Sequence, residues 1–180
     1  MLLVDLDPQG NASSGLGIDA KSLEKNLYHA MILGLPPQEI ILRTDVERLH
    51  LIPAAQDLAG AEIEMVHIDH REFRLHNVLR QVRPYYDYIL IDSPPSLGLL
   101  TVNGLVASDE VVIPVQTEYY ALEGLSQLLG TIELVREHIQ PNLKIMGALL
   151  TLYDRRNRLA RQVVNEVRVH FPGPVFEDVI

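Results

Sequence analysis

Leu2-Leu3-Val4-Asp5-Leu6-Asp7-Pro8 and Tyr88-Ile89-Leu90-Ile91-Asp92-Ser93-Pro94-Pro95 share one design: an apolar run that ends in aspartate and then proline. Apolar runs of this length read as buried strands, and proline stops a ladder because it lacks an N–H. Between these two strands the spacing predicts helices over 22–33, 56–66 and 71–82. It also predicts a short strand over 48–52. Ser22 is the expected N-cap of the first helix, and Pro36-Pro37 breaks the chain after it. Beyond them the pattern predicts a helix over 98–107, strands over 110–115 and 143–152, a helix over 159–170 and a strand beginning near Val175. Leu122, Leu125, Leu129, Ile132, Val135 and Ile139 predict a long amphipathic helix over 121–139, with the leucines in the core. Strands that alternate with helices and read as continuous apolar runs imply an α/β fold, a mainly parallel sheet covered by helices on both faces. No repeat or linker divides the chain, so a single domain over 1–180 is expected.

In such folds ligands sit at the carboxyl ends of the strands, where both acids fall. A carboxylate just past an apolar strand can hold Mg²⁺ directly or through water. Asp5 and Asp7 are two residues apart, so a strand that persisted would point both to one face. Either could also position a water for attack on a phosphate. The competing reading is that such acids merely end strands and cap helices. Two sites, each backed by proline and small residues, favour the functional reading.

The loop that would neutralise phosphate charge beside these acids is G-x-x-x-x-G-K-[ST], and the 180 residues do not contain it. Lysine occurs at Lys21, Lys25 and Lys144, never after glycine. Gly10-Asn11-Ala12-Ser13-Ser14-Gly15-Leu16-Gly17 has the glycine spacing, but leucine stands where lysine belongs, so 7–17 reads as a flexible polar loop. Gly15 to Ala20 matches G-x-G-x-x-A outside the strand–helix turn that a dinucleotide site needs. Ser13 and Ser14 have no adjacent base and do not read as nucleophiles. His67, Asp69, His70 and His76 read as a polar helix start rather than a metal site, which would need ligands from a second element.

Composition narrows the remaining classes. The chain is 47% hydrophobic and 22% charged, as expected of a globular protein. It contains no cysteine, which excludes disulfides, thiolate metal sites and iron–sulfur clusters. A cytoplasmic setting is expected, and no apolar run is long enough to span a membrane. A net charge of −9 excludes a surface coated for nucleic acid. Contact with DNA would need a local basic patch. Asp154-Arg155-Arg156-Asn157-Arg158-Leu159, extended by Arg161, is the candidate.

Three blocks occur in order: Asp5-Leu6-Asp7-Pro8-Gln9-Gly10-Asn11-Ala12, then Ile91-Asp92-Ser93-Pro94-Pro95-Ser96-Leu97, then Val112 through Gly124 with Glu118-Tyr119-Tyr120-Ala121-Leu122-Glu123 at its centre. Together they resemble the ParA/Soj chromosome- and plasmid-partitioning ATPases, a deviant Walker-A group that includes MinD and the nitrogenase iron protein. Pro53 through Glu62 and Thr151-Leu152-Tyr153-Asp154 extend the likeness along the chain, and the lack of cysteine excludes the iron-protein branch. The resemblance implies an ATP- and Mg²⁺-dependent homodimer that binds DNA non-specifically, associates with the nucleoid rather than the membrane, and is stimulated by a ParB-type partner. It implies that Asp7 positions the attacking water and that Asp5 is a supporting acid. It places Asp92 near Mg²⁺, with Pro94 in the same block, and Gln9 and Gly10 in the loop that responds to nucleotide. It makes Arg156 the DNA contact, with Arg155 and Arg158 beside it.

The departures from the family set further expectations. Family members begin with a strand, a K-G-G-V-G-K-T-T loop and a helix upstream of the Asp5–Asp7 strand, about thirty residues in all. They continue past Ile180 with a Pro-Arg-Asn segment and terminal helices. The expected structure is therefore a P-loop NTPase-like core lacking its first strand, P-loop and first helix, with an unpaired sheet edge or gap where that strand would lie. Weak ATP binding is expected, because acids alone repel the nucleotide. A degenerate, non-catalytic dimerisation or binding module is the alternative.

Overall fold

A computed structural model describes residues 1–118 and 121–180, and for Lys21 the backbone alone. Tyr119 and Tyr120 lie outside the described residues. The chain forms two compact units, Met1–Ala107 and Ser108–Ile180.

The first unit is built on β1 (Leu2–Asp5), which lies between β3 (His50–Ile52) and β4 (Ile89–Asp92) and runs parallel to both. The two-residue β2 (Leu42–Arg43) adds an antiparallel edge that the hydrophobic pattern did not reveal. Leu2, Val4, Leu6, Leu51 and Ile52 are fully buried. Each such leucine removes enough apolar surface from water to contribute about 2 kcal/mol. All but Leu51 belong to one cluster with Leu27 and Met31 of α2 (Leu27–Ile32), Leu58 of α3 (Leu58–Glu64), Met65 just past α3, Leu75 of α4 (Arg74–Arg80) and Leu100 of α5 (Leu99–Ala107). Gly104 lets α5 approach the site end of the sheet: a Cβ there would lie 2.9 Å from Ser93 Oγ and 3.2 Å from Leu6 Cδ2.

In the second unit β6 (Lys144–Thr151) lies between β5 (Glu110–Gln116) and β7 (Val175–Val179), parallel to both. Ile132 and Val135 of α6 (Ala121–His138) are buried, as are Ala160, Val163, Val164 and Val167 of α7 (Arg158–His170). Parallel pairing thus dominates both sheets, as the alternating pattern implied.

Four expectations are corrected. The helix expected from Ser22 begins at Leu27, because Asn26 is the N-cap. Its side chain accepts the Tyr28 N–H at 2.9 Å and forms a capping box with His29. Asp57, 31 residues away in sequence, holds the Asn26 amide at 2.9 and 3.0 Å. The loop expected over 7–17 contains a helical turn, α1 (Asn11–Gly15). Leu122, Leu125 and Leu129 are half-buried rather than core. Double-sided cover fails at β4, where Leu90 is 51% exposed, and at β5, where buried Ile113 and Val115 alternate with exposed Val112 and Pro114. Both are edge strands: among the described residues β4 pairs with β1 alone and β5 with β6 alone. No described helix is long and apolar enough to cross a membrane.

Candidate functional site

Parallel pairing brings the two acid-tipped strands into register: Asp5 stands opposite Asp92, and the Leu6 N–H donates to the Asp92 carbonyl at 2.8 Å. Three carboxyl groups, those of Asp5, Asp7 and Asp92, therefore gather at the carboxyl edge of the first unit's sheet. The strand does not continue to Asp7. The Asp7 side chain accepts the Gln9 N–H at 2.9 Å, and its carbonyl accepts the Gly10 N–H at 2.9 Å. This is the turn that an aspartate before proline favours, so Asp7 is placed by a turn and not by strand alternation.

The three acids sit in different surroundings. Asp5 has no exposed surface and three donors. One oxygen accepts the Asp7 N–H at 3.2 Å, and the other accepts Ser13 N–H at 2.8 Å and Ser13 Oγ–H at 2.7 Å. This clamp folds α1 back onto β1. Asp7 is nearly buried. Asp92 is exposed, and among the described residues no hydrogen-bond donor reaches its carboxylate. Partial desolvation, with the charges of Asp5 and Asp7, pushes the Asp92 carboxyl above its ordinary range.

Such a carboxylate gains by meeting a cation. Among the described residues no three acidic or histidine side chains form a ready metal cage. Mg²⁺ does not require one, since it is commonly held by one or two carboxylates, waters and substrate phosphates. Asp92 fits that role. Of the first unit's two lysines, Lys25 is paired with Glu39 at 2.7 Å. Pro94 is buried between exposed Ser93 and Pro95.

Gln9 and Gly10 face a cavity of about 340 Å³ whose walls also include Ser14, Ala54 and Gln56, and none of the three aspartates lines it. Gly10 has φ +66°, and a Cβ there would lie 3.1 Å from the Ala54 carbonyl oxygen. The loop after β1 is thus fitted against the loop after β3. Pro53 through Glu62 carried no site role in the sequence reading, although its position just past a strand was the available signal. Ser13 was set aside as a nucleophile, and its eight-residue spacing from Asp5 gave no hint of the clamp.

The arginine cluster occupies the second unit, between β6 and the start of α7. Arg155, Arg156, Arg158 and Arg161 are all exposed. Asn157 caps α7 by accepting the Leu159 N–H at 2.9 Å.

A family model described as an AAA domain, AAA_31, matches residues 1–145. The chain is 54% identical over 179 residues to the chromosome partitioning protein ParA of Myxococcus xanthus, covering 99% of this chain and 63% of that protein. It is 54% identical over 180 residues to the sporulation initiation inhibitor protein Soj of Bacillus subtilis, covering 100% of this chain and 71% of that protein. The chain therefore spans roughly two thirds of the length of these curated relatives. Among solved structures, cobyrinic acid a,c-diamide synthase from Mycobacterium smegmatis with bound ADP and magnesium superposes with a TM-score of 0.93 at 41% identity, covering 99% of this chain and 73% of that one.

Proposed function

Because this chain belongs to the ParA/Soj family of chromosome partitioning ATPases, we propose that it serves DNA partitioning by coupling ATP hydrolysis to homodimerisation and non-specific DNA binding. The observation that carries this reading is the register of Asp5 with Asp92, with Asp7 in the adjoining turn. That arrangement suits phosphoryl transfer to water, in which positioning and charge neutralisation do most of the work. Asp92 would hold Mg²⁺, which when bound offsets phosphate charge. Asp7 orients the attacking water and can accept its proton. Asp5 is the supporting acid: through Ser13 it fixes the loop that carries Asp7, Gln9 and Gly10. Pro94 shapes the backbone beyond Asp92. Arg156, with Arg155 and Arg158, contacts DNA phosphates. Both units belong to one working domain, in the cytoplasm, and a ParB-type protein accelerates hydrolysis.

The 180-residue chain itself should bind ATP weakly, since it has no lysine after glycine to meet the phosphates. Isothermal titration with Mg-ATP should give no saturable heat at micromolar nucleotide. Micromolar affinity would overturn this part. The proposed catalytic role is tested in a chain extended by the family's Gly-Lys loop unit, where Asp7→Ala should abolish turnover while nucleotide binding persists. Loss of binding together with turnover would assign Asp7 to binding instead.

A further inference from the structure

Asp154 carries two attachments at the base of the arginine cluster. Its Oδ1 accepts the backbone N–H of Arg156 at 2.9 Å, closing a turn, and its carbonyl accepts the Asn157 N–H at 2.9 Å. The same carboxylate also receives the Arg156 guanidinium in fork geometry, Nε to Oδ1 at 3.1 Å and Nη2 to Oδ2 at 3.0 Å. The side chains of Arg155, Arg158 and Arg161 have no hydrogen-bond or ion-pair partner among the described residues. One arginine of the four is therefore already bound to an anion, in the two-pronged geometry that a phosphate would use.

The pair is open to solvent, with side chains 92% and 50% exposed. Such pairs are weak and exchangeable. The backbone beneath it is held independently. Leu152 sits at φ 55°, its carbonyl accepts the buried Thr117 hydroxyl at 3.0 Å, and the Tyr153 N–H donates to the Ile180 carbonyl at 3.1 Å. Displacing Arg156 from Asp154 leaves these contacts in place.

Resting on the reading of Arg156 as a phosphate contact, we propose that Asp154 is an internal competitor for DNA: its carboxylate holds the Arg156 guanidinium until a backbone phosphate displaces it, and so sets how tightly the chain grips nucleic acid. After the exchange the carboxylate remains two residues from the bound phosphate and repels it. Asp154 thus lowers affinity without contacting DNA.

The test uses the chain extended by the family's Gly-Lys loop unit, with Mg-ATP present, and fluorescence anisotropy with a labelled random-sequence duplex, from about 50 to about 300 mM salt. Asp154→Asn keeps the oxygen that accepts the Arg156 N–H, hence the turn, and removes only the charge. It should tighten binding by about threefold to tenfold at the lowest salt. Arg156→Ala should weaken binding. Adding Asp154→Asn to Arg156→Ala should recover less than about twofold, because the competitor has lost its target. Weaker binding by Asp154→Asn would show that Asp154 positions Arg156 rather than competing for it. An undiminished gain in the Arg156→Ala background would reduce the effect to general charge, and either result overturns the proposal. If the extended chain with Mg-ATP fails to bind the duplex at the lowest salt, the DNA reading of Arg156 falls, and this inference with it.

Discussion

The carboxylate edge of the first unit and the arginine loop of the second handle charge in opposite ways. Asp5 has no exposed surface and accepts three hydrogen bonds from its own chain. Arg156 is almost wholly exposed and is held by one acid two residues away. The difference follows from desolvation. A buried carboxylate is costly unless donors replace its water, so Asp5 is fixed and in turn fixes α1. A guanidinium in solvent loses no hydration and remains free to exchange partners. Burial makes a charge architectural, whereas exposure leaves it available to a ligand. Asp92 is intermediate, at a strand end but without a donor among the described residues, and that position suits a cation site.

The strongest challenge to this contrast is Asp5→Ala, which strands the Asp7 and Ser13 N–H groups and the Ser13 hydroxyl. It should cost about 3 kcal/mol by urea unfolding, and a loss below about 1 kcal/mol would refute the clamp. Gly10→Ala comes next. A side chain at φ +66° that also presses on the Ala54 carbonyl should cost about 1–2 kcal/mol. The third effect is smaller and opposite in sign. The Asp92 carboxyl titrates higher in the folded chain than its ordinary 3.8, so its ionised form weakens the fold. That penalty is absent below the ordinary value and complete above the raised one. Asp92→Asn should therefore stabilise the chain at neutral pH by only ~0.3 kcal/mol, because solvent screens an exposed group. The gain should vanish as pH falls through the carboxylate range, and stabilisation that persisted in acid would point to packing instead. The smallest effect belongs to Arg156→Ala, which should leave the thermal midpoint unmoved while weakening DNA binding. A shift in that midpoint would mean the arginine is structural.

Much of this was legible along the chain. β1, β4, α5 and α7 lie where their apolar spacing put them, and both acids fall at strand ends. The misses share a cause. The start of α2 depends on Asp57 gripping the amide of Asn26, a contact across 31 residues that favours Asn26 over Ser22 as the cap. The stretch from Asp7 to Gly17 is polar and glycine-rich, and local propensity makes it a loop. Only the Asp5–Ser13 clamp gives it a helical turn. Leu122, Leu125 and Leu129 have the spacing of a buried stripe, but spacing shows which side chains share a face and not how deeply that face is covered.

The sequence by itself therefore determined the kinds of element, the parallel α/β class, the family likeness, and the presence of acids and arginines at loop starts. Those properties are local: a period, a proline after a strand, a run of like residues. Only the tertiary structure decided which charge is committed and which is free. Asp5 is committed to Ser13 and Arg156 is held by Asp154, whereas among the described residues Asp92 lacks a donor and Arg155 has no partner. Commitment depends on burial and on partners that packing or a turn brings within about 3 Å, and neither is written in the residue's own neighbourhood.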